Sequence, residues 1–110
     1  MIQDLLNKIE NKQISFVDVI AFIEENYSYV PGAFTNGNQV NAENENQGSA
    51  KIFAFAQLNN LSKEDTLQLF VEHYQSVLET PSETNHQNIR QFMIHGWDKL
   101  TFENQVLELK

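Results

Sequence analysis

The sequence predicts a compact, mainly helical α+β domain with four or five helices and one or two short antiparallel β-hairpins, residues 1–110 forming a single unit. Three observations carry this prediction. Apolar residues recur at helical spacing over most of the chain, beginning with Ile2, Leu5, Leu6 and Ile9. The period changes between Tyr27 and Val40, where side chains alternate and Asn36-Gly37 signals a tight turn. A chain of 110 residues also supports one core and not two sizeable ones.

The opening helix should end near Asn11–Lys12. Ser15 then reads as an N-cap, with Asp18 three residues on in a variant of the capping box. Phe16, Val19, Ile20, Ile23 and Tyr27 form the stripe of a second helix, and Glu24 and Glu25 mark its wet side. Tyr27 to Pro31 is extended, and Pro31 confines it to an edge. Phe34–Thr35 and Gln39–Val40 flank the turn as a short hairpin, and Asn41 to Gln47 reads as loop.

Ser49 is placed to cap a helix from Ala50 to about Asn59. Ile52, Phe53, Phe55, Ala56 and Leu58 surround it, so it should be the central, most covered helix. Ser62 caps the next, with Leu61 as a hydrophobic staple and Glu64 and Asp65 at its positive end. Its stripe runs through Leu67, Phe70, Val71, Tyr74, Val77 and Leu78 without a break, until Pro81. Asn85 or His86 begins the last helix, carrying Ile89, Phe92 and Met93. Leu100, Phe102, Val106, Leu107 and Leu109 then suggest a terminal hairpin, which must lean on the helices or pair with the Tyr29–Val40 region.

Composition excludes several classes. No Cys is present, which removes disulfides, thiolate catalysis and Cys-ligated zinc or iron–sulfur centres. The formal charge of −8 leaves Arg90 and six scattered Lys against fifteen carboxylates, so neither a nucleic-acid footprint nor attraction to anionic membranes is expected. The N-terminus does not look like a secretory signal, and the longest apolar run is far short of a membrane span.

Chemistry concentrates at few residues. The Asn36–Asn46 loop repeats oxygen donors but lacks the Asp, Gly and Glu pattern of an EF-hand. Asn36 and Asn41 bracket the turn and suit ligand contact or local hydrogen bonding. The histidines show no HExxH pair: His73 reads as a boundary residue, His95 as exposed, and no metal or cofactor is expected. His86 stands at a helix start with Arg90 four residues on, so both share a face where a carboxylate or phosphate can be received. Lys51 begins a nearly all-apolar helix, and either a salt bridge to a Glu or ligand contact explains it. Ser49 has no GxSxG context.

AFTNG at 33–37, NQGSAKIFAFAQLNNLS at 46–62 and HQNIRQFMIHGW at 86–97, in this order, resemble the HopJ type III effector family over almost the whole chain. The family's recurring polar positions match here as Asn36, Gly37, Ser49, Lys51, His86, Asn88 and Arg90, and the resemblance brings no reaction, substrate or cofactor with it. It implies a bacterial protein delivered into a plant cell, with a role in suppressing host defence. Against that, the first fifteen residues hold just Ser15 of the Ser/Thr class, and two apolar helices begin almost at once. A type III signal is a flexible polar region. The expected location is therefore cytoplasmic, with secretion through a type III system into a host cell as the alternative.

The leading function is a non-enzymatic small-molecule or protein-binding domain, with Asn36, Asn41, Ser49, Lys51, His86, Asn88 and Arg90 around a polar, anion-accepting cleft. The expected partner is a small anionic ligand or a protein, and the expected state a monomer or weak homodimer. The alternatives are a hydrolase-like enzyme using His86 for proton transfer and Lys51 for charge stabilisation, or a secreted effector acting on host proteins. Both cleft hypotheses expect Lys51, His86 and Arg90 to converge on one pocket.

Overall fold

The computed structural model describes residues 2–110. The fold is the expected mainly helical α+β domain, built around helix α3 (Gln47–Leu58). Ala50, Ile52, Phe53, Ala54, Phe55 and Ala56 of α3 are all buried, because helices and strands cover it on several sides. The ring of Phe53 lies 4.9 Å from that of Phe92, 5.4 Å from Phe70 and 6.2 Å from Phe34, so one side chain ties three elements together.

Helices α1 (Ile2–Glu10) and α2 (Phe16–Asn26) precede it in the chain, and α2 packs against it. The Asp18 carboxylate accepts the Ser15 N–H at 2.9 Å, the reciprocal half of a capping box. Ser62 Oγ accepts the Asp65 N–H at 3.1 Å and starts α4 (Lys63–Gln68) as its sequence foretells. α4 then stops early. The continuous helix expected as far as Leu78 is two helices, α4 and α5 (Glu72–Glu79), which with α6 (Gln87–His95) makes six α-helices among the described residues. The break serves burial: Leu69 and Phe70 are both buried, and the periodic stripe of one straight helix would have turned Leu69 outward. Val71 carries the reversal at φ 48°, ψ −114°, a region that a β-branched residue rarely enters.

Strands β2 (Phe34–Asn36) and β3 (Gln39–Asn41) form the expected hairpin, with Asn36 opposite Gln39. Gly37 takes φ +59° in its turn, and a Cβ there would collide with Gln91 and His95 of α6. Among the described residues no terminal hairpin forms. β4 (Leu100–Phe102), which follows a 3₁₀ turn over Gly96–Lys99, joins the free edge of β2 in the order β3-β2-β4. β5 (Leu107–Leu109) pairs antiparallel with β1 (Tyr27–Tyr29) as a separate two-stranded sheet. Each pairing buries one apolar residue against the helices, which a free-standing hairpin could not do. Among the described residues, no helix is long and apolar enough to cross a membrane.

Candidate functional site

The two helices that start beside the β2–β3 hairpin, α3 and α6, begin in the same unusual way. Their N-cap residues, Asn46 (φ 50°, ψ 40°) and His86 (φ 53°, ψ 46°), are left-handed, and each is followed by a Gln that opens the helix. A left-handed residue followed by a right-handed one curls successive N–H groups into a concavity suited to an anion. No side chain caps either helix among the described residues, so these first-turn donors are left without a side-chain acceptor. Ser49 therefore stands inside the first turn of α3, and Asn46 takes the cap position assigned to it: the left-handed turn at Asn46 starts the helix three residues sooner.

Both starts are held by one buried amide network. Asn41 Oδ1 accepts from Asn46 Nδ2 at 2.8 Å and from Asn88 Nδ2 at 2.9 Å, joining α3 to α6 through a single oxygen. Asn41 Nδ2 returns a bond to Asn88 Oδ1 at 3.2 Å, and Asn36 Nδ2 donates to the Asn88 carbonyl at 2.7 Å. Asn36 Oδ1 is buried with no partner among the described residues. Asn36 and Asn41 are 0% and 1% exposed, so they support the site from behind and do not line it.

What they support is a cleft of about 410 Å³. One wall is aromatic: Phe16 stacks near Phe70 (6.0 Å, 13°), His73 meets Phe16 edge-on at 4.7 Å, and His86 lies 5.2 Å from His73. The opposite side is polar, with Asn46, Ser49 and Asn88. No carboxylate lines it among the described residues, although the chain carries fifteen. Burial, the neighbouring His73 and the Arg90 charge push the His86 pKa below the usual histidine value, which favours its neutral form.

Ser49, His86 and Asn88 thus share the cleft, whereas Lys51 and Arg90 do not. The expected convergence of Lys51, His86 and Arg90 is absent. Lys51 points the other way, pairs with Glu24 at 2.9 Å and lies 4.3 Å above the Tyr29 ring. Arg90 spends its donors on the chain that leads into α6, reaching the Thr80 carbonyl (2.8 Å), Thr80 Oγ1 (3.2 Å), the Asn85 carbonyl (2.6 Å) and Asn85 Oδ1 (2.8 Å). A shared helix face placed Arg90 near His86 but could not say which way the fork would turn. His73 is the residue that sequence reasoning missed, since it stands on α5 and His86 at the start of α6, and no periodicity links them across the connection through Pro81. Asn46 left a faint signal: Asn46-Gln47 and His86-Gln87 repeat the same step, and Asn and His both tolerate the left-handed region. No cluster of three or more metal-ligating side chains occurs among the described residues.

The fold and cleft define a small α+β domain with an amide-braced pocket at converging helix starts and no Cys- or metal-cluster chemistry assigned to it. The chain belongs to the family described as HopJ type III effector protein, whose match covers residues 2–107. It is similar to the solved "crystal structure of unknown function protein VPA0580", with 47% identity, a TM-score of 0.90, and coverage of 98% of this chain and 92% of that one. No curated protein matches it.

Proposed function

We propose that this protein is a non-enzymatic binding protein of the effector type, whose cleft accepts a small ligand through an oxyanion such as a phosphate or carboxylate. One observation carries the proposal: two left-handed, uncapped helix starts open on the same cleft, which holds two histidines and no carboxylate in a chain of net charge −8. Local chemistry there runs against the charge of the whole molecule. The Ser49 hydroxyl supplies a further hydrogen bond, and the aromatic wall suits an apolar or flat body behind the anionic group. The hydrolase alternative is weaker, because it needs Lys51 beside His86, and Lys51 is committed to Glu24 and Tyr29.

Family membership favours delivery through a type III system over a cytoplasmic role, and so favours a ligand or protein found in a host cell. The oxyanion proposal is tested by calorimetric titration with inorganic sulfate, whose charge does not change near neutral pH. Saturable binding should weaken with salt and strengthen as acid protonates His86, below the usual histidine range because its folded pKa is lowered. Ser49→Asp places a carboxylate against the α3 start and should abolish sulfate binding while raising the melting temperature. Absence of sulfate binding at low salt, or unchanged binding in that variant, refutes the oxyanion site.

A further inference from the structure

The segment Phe70–His73 separates two depressions. Phe70 and His73 line the cleft already described, whereas Val71 and Glu72 turn to the other side, into a roomier groove of about 870 Å³ between the end of α1 and α5. Its apolar floor comes from Ile9, Ile14 and Val71, and its rim carries Glu10, Glu72 and Glu79 against a single cation, Lys12. The floor includes a strained residue, since Val71 adopts a conformation that glycine prefers. Strain of this kind persists where the surroundings over-determine it, and it clusters at ligand clamps.

We propose that this groove docks a basic amphipathic segment of a partner protein, laying apolar side chains on Ile9, Ile14 and Val71 and pairing Lys or Arg with the rim carboxylates. Charge complementarity selects this occupant. A second copy of the chain brings net charge −8 and only seven scattered cations, so the rim repels it. An anionic membrane is repelled for the same reason. A basic helix with one apolar face satisfies both floor and rim, in the manner of other helix-in-groove complexes. The proposal stands apart from the oxyanion cleft, whose residues it does not use.

The test is fluorescence anisotropy of the full chain with a labelled Lys/Leu amphipathic peptide, alongside a Glu/Leu peptide and a Lys/Ser peptide of equal length. Glu72 is left intact, because its carboxylate accepts the Phe16 N–H at 2.8 Å and supports α2. The double variant Glu10→Lys/Glu79→Lys changes exposed rim residues, and Glu43→Lys/Glu103→Lys makes the same net change at exposed residues outside the groove. The Lys/Leu peptide should bind, and lose about tenfold or more in affinity in the rim variant, with little loss in the control. Equal weakening in both double variants would reduce the effect to bulk charge and overturn the groove. Equal binding of the Lys/Ser peptide would overturn the apolar floor, and tight binding of the Glu/Leu peptide would overturn the charge argument.

Discussion

Asn41 and Asn88 form a reciprocal amide pair in the interior, Asn88 Nδ2 donating to Asn41 Oδ1 at 2.9 Å and Asn41 Nδ2 donating to Asn88 Oδ1 at 3.2 Å. Through it a β-hairpin sets the start of α6, and the same Asn41 oxygen sets the start of α3. Buried amides of this kind hold position only when nearly all their groups are satisfied. Asn88→Ala removes the Asn88 side-chain bonds to Asn36 and Asn41, while Asn36 Nδ2 keeps the backbone carbonyl of residue 88 and Asn41 keeps Phe34 and Asn46. It should cost about 0.5–1.5 kcal/mol for each hydrogen bond lost. Urea denaturation measures that loss, and an unchanged midpoint would show that the network is incidental.

Acid should weaken the protein through His86. Its folded-state pKa lies below its unfolded value, so the unfolded chain binds more protons once the pH drops toward about 6.5. Stability contributed by neutral His86 is present above that pH and is lost as the pH falls through it. The ring is largely exposed, which keeps the effect small. Comparing melting temperatures at pH 7.5 and 5.5 for native protein and His86→Gln should show a shallower acid slope in the variant. Parallel slopes would assign the titration elsewhere.

Val71 offers a test of backbone strain. Val71→Ala loses side-chain packing and keeps the unfavourable dihedrals, whereas Val71→Gly loses the same packing and relieves them. Glycine should therefore be the more stable of the two by up to about 1 kcal/mol, against its usual ranking in a helix or strand. Denaturant midpoints decide the order, and alanine above glycine would mean that the bend is unstrained.

Phe53 is fully buried among Phe34, Phe70 and Phe92, so Phe53→Ala should cost about 3–5 kcal/mol through lost burial and a cavity. Guanidinium unfolding reads this directly. A loss below about 1 kcal/mol would contradict the central place of α3.

Lys51 and Arg90 should behave as structural cations. Lys51→Gln removes an ion pair whose Glu24 end is open to solvent and is expected to cost no more than about 1 kcal/mol. Arg90→Gln removes the guanidinium bonds to Thr80 and Asn85 at the α6 approach, leaving the Thr80 carbonyl with the Glu83 N–H alone, and is expected to cost more, about 1–3 kcal/mol. Thermal melts rank the two, and sulfate titration of Lys51→Gln should match native protein.

Much of this architecture is written in local pattern. The caps at Ser15 and Ser62, the Asn36-Gly37 turn and the all-round apolar α3 each follow from residue types within a few positions of one another. The site was legible only in part. Ser49, His86 and Asn88 could be singled out as polar groups at helix starts, and the family resemblance pointed to them as well. His73 could not, since its approach to His86 depends on how α5 packs beside the start of α6.

The sequence by itself determined the fold class, the place of the central helix and the absence of thiol chemistry, because these depend on composition and short-range periodicity. Tertiary structure decided strand partners, the break between α4 and α5, and which cations meet which acceptors. Strands of three residues carry too little register information to choose a partner, so β4 and β5 went where burial was greatest, to β2 and β1. Long charged side chains are the same case at smaller scale: Lys51 and Arg90 reach over several ångströms, and only the packed surroundings show that one turns to Glu24 and the other to Thr80 and Asn85.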